Sequence, residues 1–278
     1  MSVRTVAVHP IKRFLEQSIP LKAAFASCYA KPSPGAVHRL RTNIRRIEAQ
    51  LELLDLLQDL PTHHREFGKL RRELKQVRRS AGKVRDLDIQ KELTMMHSAS
   101  MTPTDARQLR HWMKRHRDNE TAALHNMLRR VRAKVYLTLD CLCETLHPLE
   151  HISLPATQLV ALAWAWFVRH RRPSDTIEHL HATRKAAKLA RYMAETARDS
   201  ATATKIAKRL EAIQRAGGLW HDWTQVVEIA VDKLGKRHPL VESCKGQCDL
   251  SLRVYRRKIG SGLPRPSRAA RRMNPSQH

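Results

Sequence analysis

A histidine followed after three and seven residues by cations occurs twice in this chain. His38-x-x-Arg41-x-x-x-Arg45 stands in the first half and His181-x-x-Arg184-x-x-x-Lys188 in the second. A helix turns about 100° per residue, so each trio falls on one face. The opposite face is apolar in both copies: Leu40, Ile44, Ile47, Leu51 and Leu54 in the first, and Ala186, Leu189, Ala190, Met193 and Ala197 in the second. Each helix therefore buries one stripe and offers cations on the other. Arg46 flanks the first trio, and Lys185 and Arg191 flank the second, with Tyr192 on the same face as His181. One such face alone reads as a solvated surface. Two without interleaved acids read differently, because like charges a turn apart repel by a few tenths of a kcal/mol. The chemistry on offer is anion binding: Arg presents a planar fork of donors and Lys a mobile point charge. Two readings of His38 and His181 stay open: an imidazolium held by a neighbouring anion, or a neutral ring that hydrogen-bonds across an interface.

A second pair of segments repeats as well. Gly82-Lys-Val-Arg-Asp86 matches Gly218-Leu-Trp-His-Asp222. Aligning the glycines pairs Lys69 with Lys205, Arg72 with Lys208 and Arg79 with Arg215, with Lys75 and Arg209 as further basic positions. A His-bearing basic helix followed by a basic helix ending in Gly-x-x-x-Asp thus occurs twice, the mark of an internal duplication. Asp86, Asp88 and Asp222 have the chemistry of metal ligands or catalytic acids. Amid so many cations they read better as braces for nearby Arg or Lys.

The elements that carry these residues read as helices throughout, over 10–30, 34–59, 62–98, 104–147, 155–171, 174–199, 202–233 and 238–259. No sustained period-two alternation competes with them. Ser33-Pro34 and Thr102-Pro103 each place a capping residue before a first-turn proline, and Asp175 with Glu178 resembles a capping box. Pro20 is a candidate kink in the first helix. From Gly260 onward, Gly, Pro, Ser and Arg suggest a disordered basic tail over 260–278.

Composition points to a polyanionic partner. Among 278 residues, Lys+Arg is 52 and Asp+Glu is 26, a formal charge of +26. Such an excess lowers the stability of a compact state unless an anion compensates it. Aromatics are only 5%, which disfavours a base-stacking platform, and the nine glycines form no phosphate-binding loop. Five cysteines, an odd number, and an opening without a signal-peptide pattern suggest free thiols in a reducing compartment. Cys141-x-Cys143 and Cys244-x-x-x-Cys248 are poor zinc spacings, and the histidines form no H-E-x-x-H. Trp164, Trp166 and Phe167 read as core of the fifth helix, and no run is long and apolar enough for a membrane span.

Together, Val37-His38-x-x-Arg41-x-x-x-Arg45-Arg46, Arg85-Asp86-Leu87-Asp88 and Leu180-His181-x-x-Arg184-Lys185-x-x-Lys188-x-x-Arg191-Tyr192 resemble the CHAD family of histidine-containing α-helical domains. The resemblance covers roughly 8–258 as a single domain. It implies an all-α fold of two four-helix bundles, about 8–150 and 151–258, related by a pseudo-two-fold axis around a basic central cavity. It implies binding of inorganic polyphosphate without catalysis or cofactor, in the cytoplasm of a bacterial cell and on polyphosphate granules. The residues expected to hold the polymer, from the two basic helix faces and the repeat, are His38, Arg41, Arg45, Lys69, Arg72, Arg79, His181, Arg184, Lys188, Lys205, Lys208 and Arg215, with Arg46, Lys75, Lys185, Arg191 and Arg209 in support. The sequence departs from the pattern in two places. His221-Asp222-Trp223-Thr224 lacks the second acid, and Glu48 and Ala49 occupy the places of Arg191 and Tyr192, so the halves are expected to share the ligand unequally. No triphosphate-tunnel module, sometimes fused to this domain, is recognisable.

Two rival functions follow from the same residues. A nucleic-acid-binding protein fits the charge and the tail but lacks a helix-turn-helix or zinc signature. An enzyme acting on phosphate polymers lacks an activated nucleophile or paired metal carboxylates. The oligomeric state is not encoded in any recognisable pattern.

Overall fold

The structure, a computed structural model, describes residues 6–57, 63–172 and 176–260. Its helices are α1 (Pro10–Ala30), α2 (Pro34–Asp55), α3 (His64–Met96), α4 (Pro103–Leu146), α5 (Ala156–His170), α6 (Ile177–Ala194), α7 (Ala201–Leu234) and α8 (Pro239–Gly260). The fold is all-α, and the helix boundaries lie close to those expected. Ser33 accepts from the Ala36 amide, and Thr102 and Asp105 form a complete capping box. The α6 cap is Thr176, which accepts from His179 N; Asp175 lies outside the described residues, as do 58–62 and the tail 261–278. Pro20 sits on an exposed position within an unbroken α1.

Two short strands escaped the periodicity, since two residues each carry no pattern. β1 (Ala7–Val8) pairs antiparallel with β2 (Leu154–Pro155), tying the start of the fold to the connection between its halves.

In the first half α1, α2, α3 and α4 pack in succession and α4 closes back on α1; in the second, α5 to α8 follow in succession and α5 leans on α7. The first core gathers Phe14, Phe25, Ile44, Leu70, Leu128 and Leu139. The second gathers Phe167, Leu180, Ala187, Leu210, Trp220 and Tyr255. Two smaller clusters join the halves, one around Leu53, Leu159 and Met193, the other around Leu93, Met113, Trp223 and Leu240. Between the halves α2 packs on α6 and α3 on α7, so helices in corresponding positions meet.

The two paired glycines do not end their helices. Both α3 and α7 run on for several turns past them. Gly82 instead gives clearance: a Cβ there would lie 3.0 Å from Arg41 Nη1. In α7 the crowded glycine is Gly217, where a Cβ would lie 2.6 Å from the ring of Tyr255, whose hydroxyl donates to the Leu180 carbonyl at 2.8 Å. Gly218 has open space. Alanine within a helix gains about 1 kcal/mol over glycine, whereas overpacking a core costs about 1–3 kcal/mol. Gly217→Ala is therefore expected to lower the melting temperature and Gly218→Ala to raise it slightly, as read by thermal unfolding. Equal effects would mean that α8 moves aside at no cost.

Candidate anion-binding cavity

The apolar stripes of α2 and α6 enter the cores, so their cationic faces meet between the halves. A cavity of about 380 Å³ lies there, walled by His38 and Arg41 of α2, Lys188, Arg191 and Tyr192 of α6, Arg85 of α3 and Arg215 of α7. Two acids in matching places, Asp86 and Asp222, act on its arginines. Arg41 Nη1 donates to Asp86 Oδ1 and to the Ala81 carbonyl, each at 3.4 Å. Arg184 lies in the field of Asp222, then of Asp86, while its Nε is buried without a hydrogen-bond partner. Burial raises the pKa of both carboxyls. Asp222 rises to about 6, with Arg184 pulling it down and Asp86 pushing it up. Asp86 thus braces Arg41, as its cationic surroundings suggested, whereas Asp222 acts on Arg184 through its charge alone. Asp88 plays a different part: it accepts from Arg117 Nε at 2.6 Å, and Arg117 also donates to the Pro32 carbonyl. That link ties α3 to α4 and to the α1–α2 turn. Thr224, in the matching place, turns back to donate to the Trp220 carbonyl.

The cations exceed these acids. Lys188 has no hydrogen bond or ion pair among the described residues. Burial, then the charges of Arg45, Arg41, Arg184 and Arg191, push its ammonium down to about 7. Burial, then Arg78, lowers Arg45 to about 10, although Glu48 opposes this. Burial also lowers His38, with help from Arg85 and Lys188, and His181, with help from Arg184 and Lys185. Both rings are therefore mostly neutral at neutral pH, but neither makes a hydrogen bond among the described residues, so the expected bond across an interface is not formed. His221 is pushed down to about 3 by burial, then by Arg184 and His181; its ring meets that of His181 edge-on at 4.8 Å and its buried Nδ1 has no partner.

The expected site residues divide by location. His38, Arg41, Lys188, Arg191 and Arg215 line the cavity, Arg45 and Arg184 adjoin it through the charges just described, and Lys185 lies beside His181 and His221. Arg191 is partly committed, to Glu195 at 3.3 Å and Glu211 at 3.2 Å. Arg46 opens instead into a neighbouring hollow with Arg13 and Arg198. Lys69 and Arg72 line an outer groove between α3 and α4 with Arg65 and Lys134. Lys75 and Arg79 are exposed on α3 away from the cavity lining, and Lys205 is exposed near the start of α7. Lys208 borders a small hollow with Arg198, and Arg209 lies over the Trp164 ring at 5.0 Å.

The cavity side of α3 carries Arg78 and Arg85, neither of them among the residues expected to bind. A seven-residue spacing, Arg71-Arg78-Arg85, marks that side in the sequence. The halves exchange charges as well. Glu48 stands where α6 has Arg191, and Arg78 stands where α7 has Gln214. Glu48 accepts from Arg78 Nε at 2.8 Å and faces Arg45 at 3.5 Å, so the acid of one half is answered by that half's extra arginine.

No group of three or more His, Cys, Asp or Glu among the described residues is placed to hold a metal ion. The five cysteines are free; Cys28 and Cys244 are buried and Cys141 is exposed. No described helix is long and apolar enough to cross a membrane.

Comparison with known proteins places this geometry. The crystal structure of the CHAD domain from the plant Ricinus communis superposes with a TM-score of 0.67 at 18% identity, covering 95% of each chain. PptA from Streptomyces chartreusis gives a TM-score of 0.59 at 13% identity, over 92% of this chain and 100% of that one. These likenesses speak for the fold. No curated protein matches significantly. The family model for the CHAD domain matches residues 23–229, a span holding both histidine-bearing helices and both glycine–aspartate segments, and the chain belongs to the CHAD domain family.

Proposed function

We propose that the protein binds inorganic polyphosphate in the cavity between α2 and α6 and does not transform it. One observation carries this reading: Lys188 and its neighbouring arginines are gathered, partly desolvated, around a space with too few acids to balance them. Holding like charges together costs free energy, and an incoming polyanion repays it. Phosphates suit the donors present, the forks of Arg41, Arg45 and Arg184 and the point charge of Lys188. A flexible inorganic chain needs no stacking surface. Tyr192 and Trp220, the aromatic rings nearest the cavity and His181, are 6% and 3% exposed, so neither offers a face to a base. That disfavours a nucleic acid as the cavity's ligand, although the chain's +26 charge supports loose binding of one elsewhere. Family membership is the further support, and a place on cytoplasmic polyphosphate granules follows from the same reading.

Two measurements test it together. Binding of long-chain polyphosphate should weaken steeply with salt, with a log–log slope of several units, because each engaged phosphate releases counterions. Incubation with the protein and magnesium should leave the polymer's length distribution unchanged on a sizing gel. A shallow slope would remove the ionic cavity, and shortening of the polymer would restore the enzyme reading.

A further inference from the structure

We propose that the hollow beside the cavity, lined by Arg13, Arg46 and Arg198, is a second phosphate subsite, filled only by chains long enough to pass Tyr192. This rests on the polyphosphate reading above and adds a length requirement to it. The hollow is large, about 460 Å³. Tyr192 walls it on one side and walls the central cavity on the other. The partition is itself cationic, because the Arg191 guanidinium lies over the Tyr192 ring at 4.4 Å. A polyanion leaving Lys188 on this side therefore meets Arg191 first and the second hollow next.

The charges in the hollow fit this role. Its carboxylates are already engaged: Glu16 faces Arg13 at 3.1 Å and Glu195 faces Arg191 at 3.3 Å. Arg13 is held in place by Glu16 and by Asp199 at 2.6 Å. Arg46 and Arg198 are exposed and make no ion pair among the described residues, so their donors are available to a ligand. The hollow also breaks the relation between the halves. The residue matching Arg46 in α6 is Leu189, which packs into an apolar cluster. The track therefore continues beyond the cavity on the α2 side, through a feature the duplication does not supply.

The test compares tripolyphosphate with long-chain polyphosphate on the full chain. The double variant Arg46→Glu/Arg198→Glu should lose about tenfold or more in affinity for the long polymer. Its affinity for tripolyphosphate, which the central cavity accommodates alone, should stay within about twofold. The control Arg129→Glu/Arg130→Glu makes the same charge change on an exposed stretch of α4 and should cost the long polymer much less. Equal losses for both probes, equal losses in the control, or no loss at all would overturn the subsite. A wild-type protein that binds neither probe would remove the polyphosphate reading and the subsite with it. Because Arg46 and Arg198 are exposed, the variant should fold, and Arg46→Gln/Arg198→Gln should show the same pattern more weakly.

Discussion

Arg41→Glu combined with Arg184→Glu should reduce polyphosphate affinity by at least a hundredfold, whereas Arg268→Glu with Arg271→Glu should cost less than tenfold. The tail pair lies outside the described residues and makes the same change in net charge, so the comparison separates a built site from general attraction. The large effect follows from position. Arg41 and Arg184 stand over Asp86 and Asp222, and reversal would place four carboxyls where the polymer must lie. Truncating one partner of a buried, hydrogen-bonded charge pair costs about 2–5 kcal/mol, and here one such partner, Arg41, is inverted together with a second buried arginine in the field of the same acids. Because these acids are themselves partly buried, Arg41→Gln/Arg184→Gln should accompany the reversal, with circular dichroism to confirm folding. Binding that survives both variants, or falls equally with the tail variant, would mean that the cavity is not the site.

The second large effect sets stability against binding. Lys188→Met should stabilise the free protein and weaken polyphosphate binding by about tenfold or more. The native fold holds the Lys188 ammonium at about 7, against 10.5 for the unperturbed group. A group with a depressed native pKa binds fewer protons in the fold than in the unfolded chain between those two values. Stability of the wild type should therefore rise with pH from about 7 towards 10.5, and the methionine variant should lose that part of the slope. At neutral pH and below, where the wild type bears the repulsion, the variant should gain on the order of 2 kcal/mol, a rise of several degrees in melting temperature. Polyphosphate supplies the missing counter-charge and draws the pKa back up. Binding should then take up a proton above about pH 7, and affinity should fall as pH rises through that region. Calorimetry in buffers of different ionisation enthalpy reads this uptake directly. A variant that is both destabilised and unchanged in proton uptake would show that Lys188 is neither frustrated nor at the ligand.

The histidines shift the low-pH side. His38, in the cavity wall, and His181, beside Arg184, sit below their ordinary value, so a bound anion should raise both and strengthen binding as pH drops below about 6.5. Asp222 acts in the same direction, since its protonation near 6 removes a negative charge from the field of Arg184, Arg41 and Arg85.

Much of this was legible in the residues because it is local. The stripes of α2 and α6 have one apolar face and one cationic face, so their orientation follows from periodicity alone, and the caps at Ser33 and Thr102 mark where helices start. For α3 the pattern was insufficient. Its buried stripe of Phe67, Leu70, Leu74, Val77 and Val84 is flanked by arginines on both sides. Only packing against α2 and α7 decides that Arg78 and Arg85 look inward while Lys69 and Arg72 look out. The glycine match misled for a similar reason: Gly82 is there to admit the Arg41 guanidinium, a requirement set by another helix. The β1–β2 pair and the exchange of Glu48 and Arg78 for Arg191 and Gln214 are likewise properties of contacts between distant segments.

The central claim is tested most directly by competition. Labelled long-chain polyphosphate bound to the protein at roughly physiological salt, where the Debye length is about 8 Å, would be challenged with duplex DNA, single-stranded RNA and unlabelled polyphosphate, matched by phosphate concentration. The cavity between α2 and α6 predicts that unlabelled polyphosphate displaces the label at concentrations far below those needed for either nucleic acid. Equal displacement by DNA or RNA would contradict it and leave net charge as the whole basis of binding.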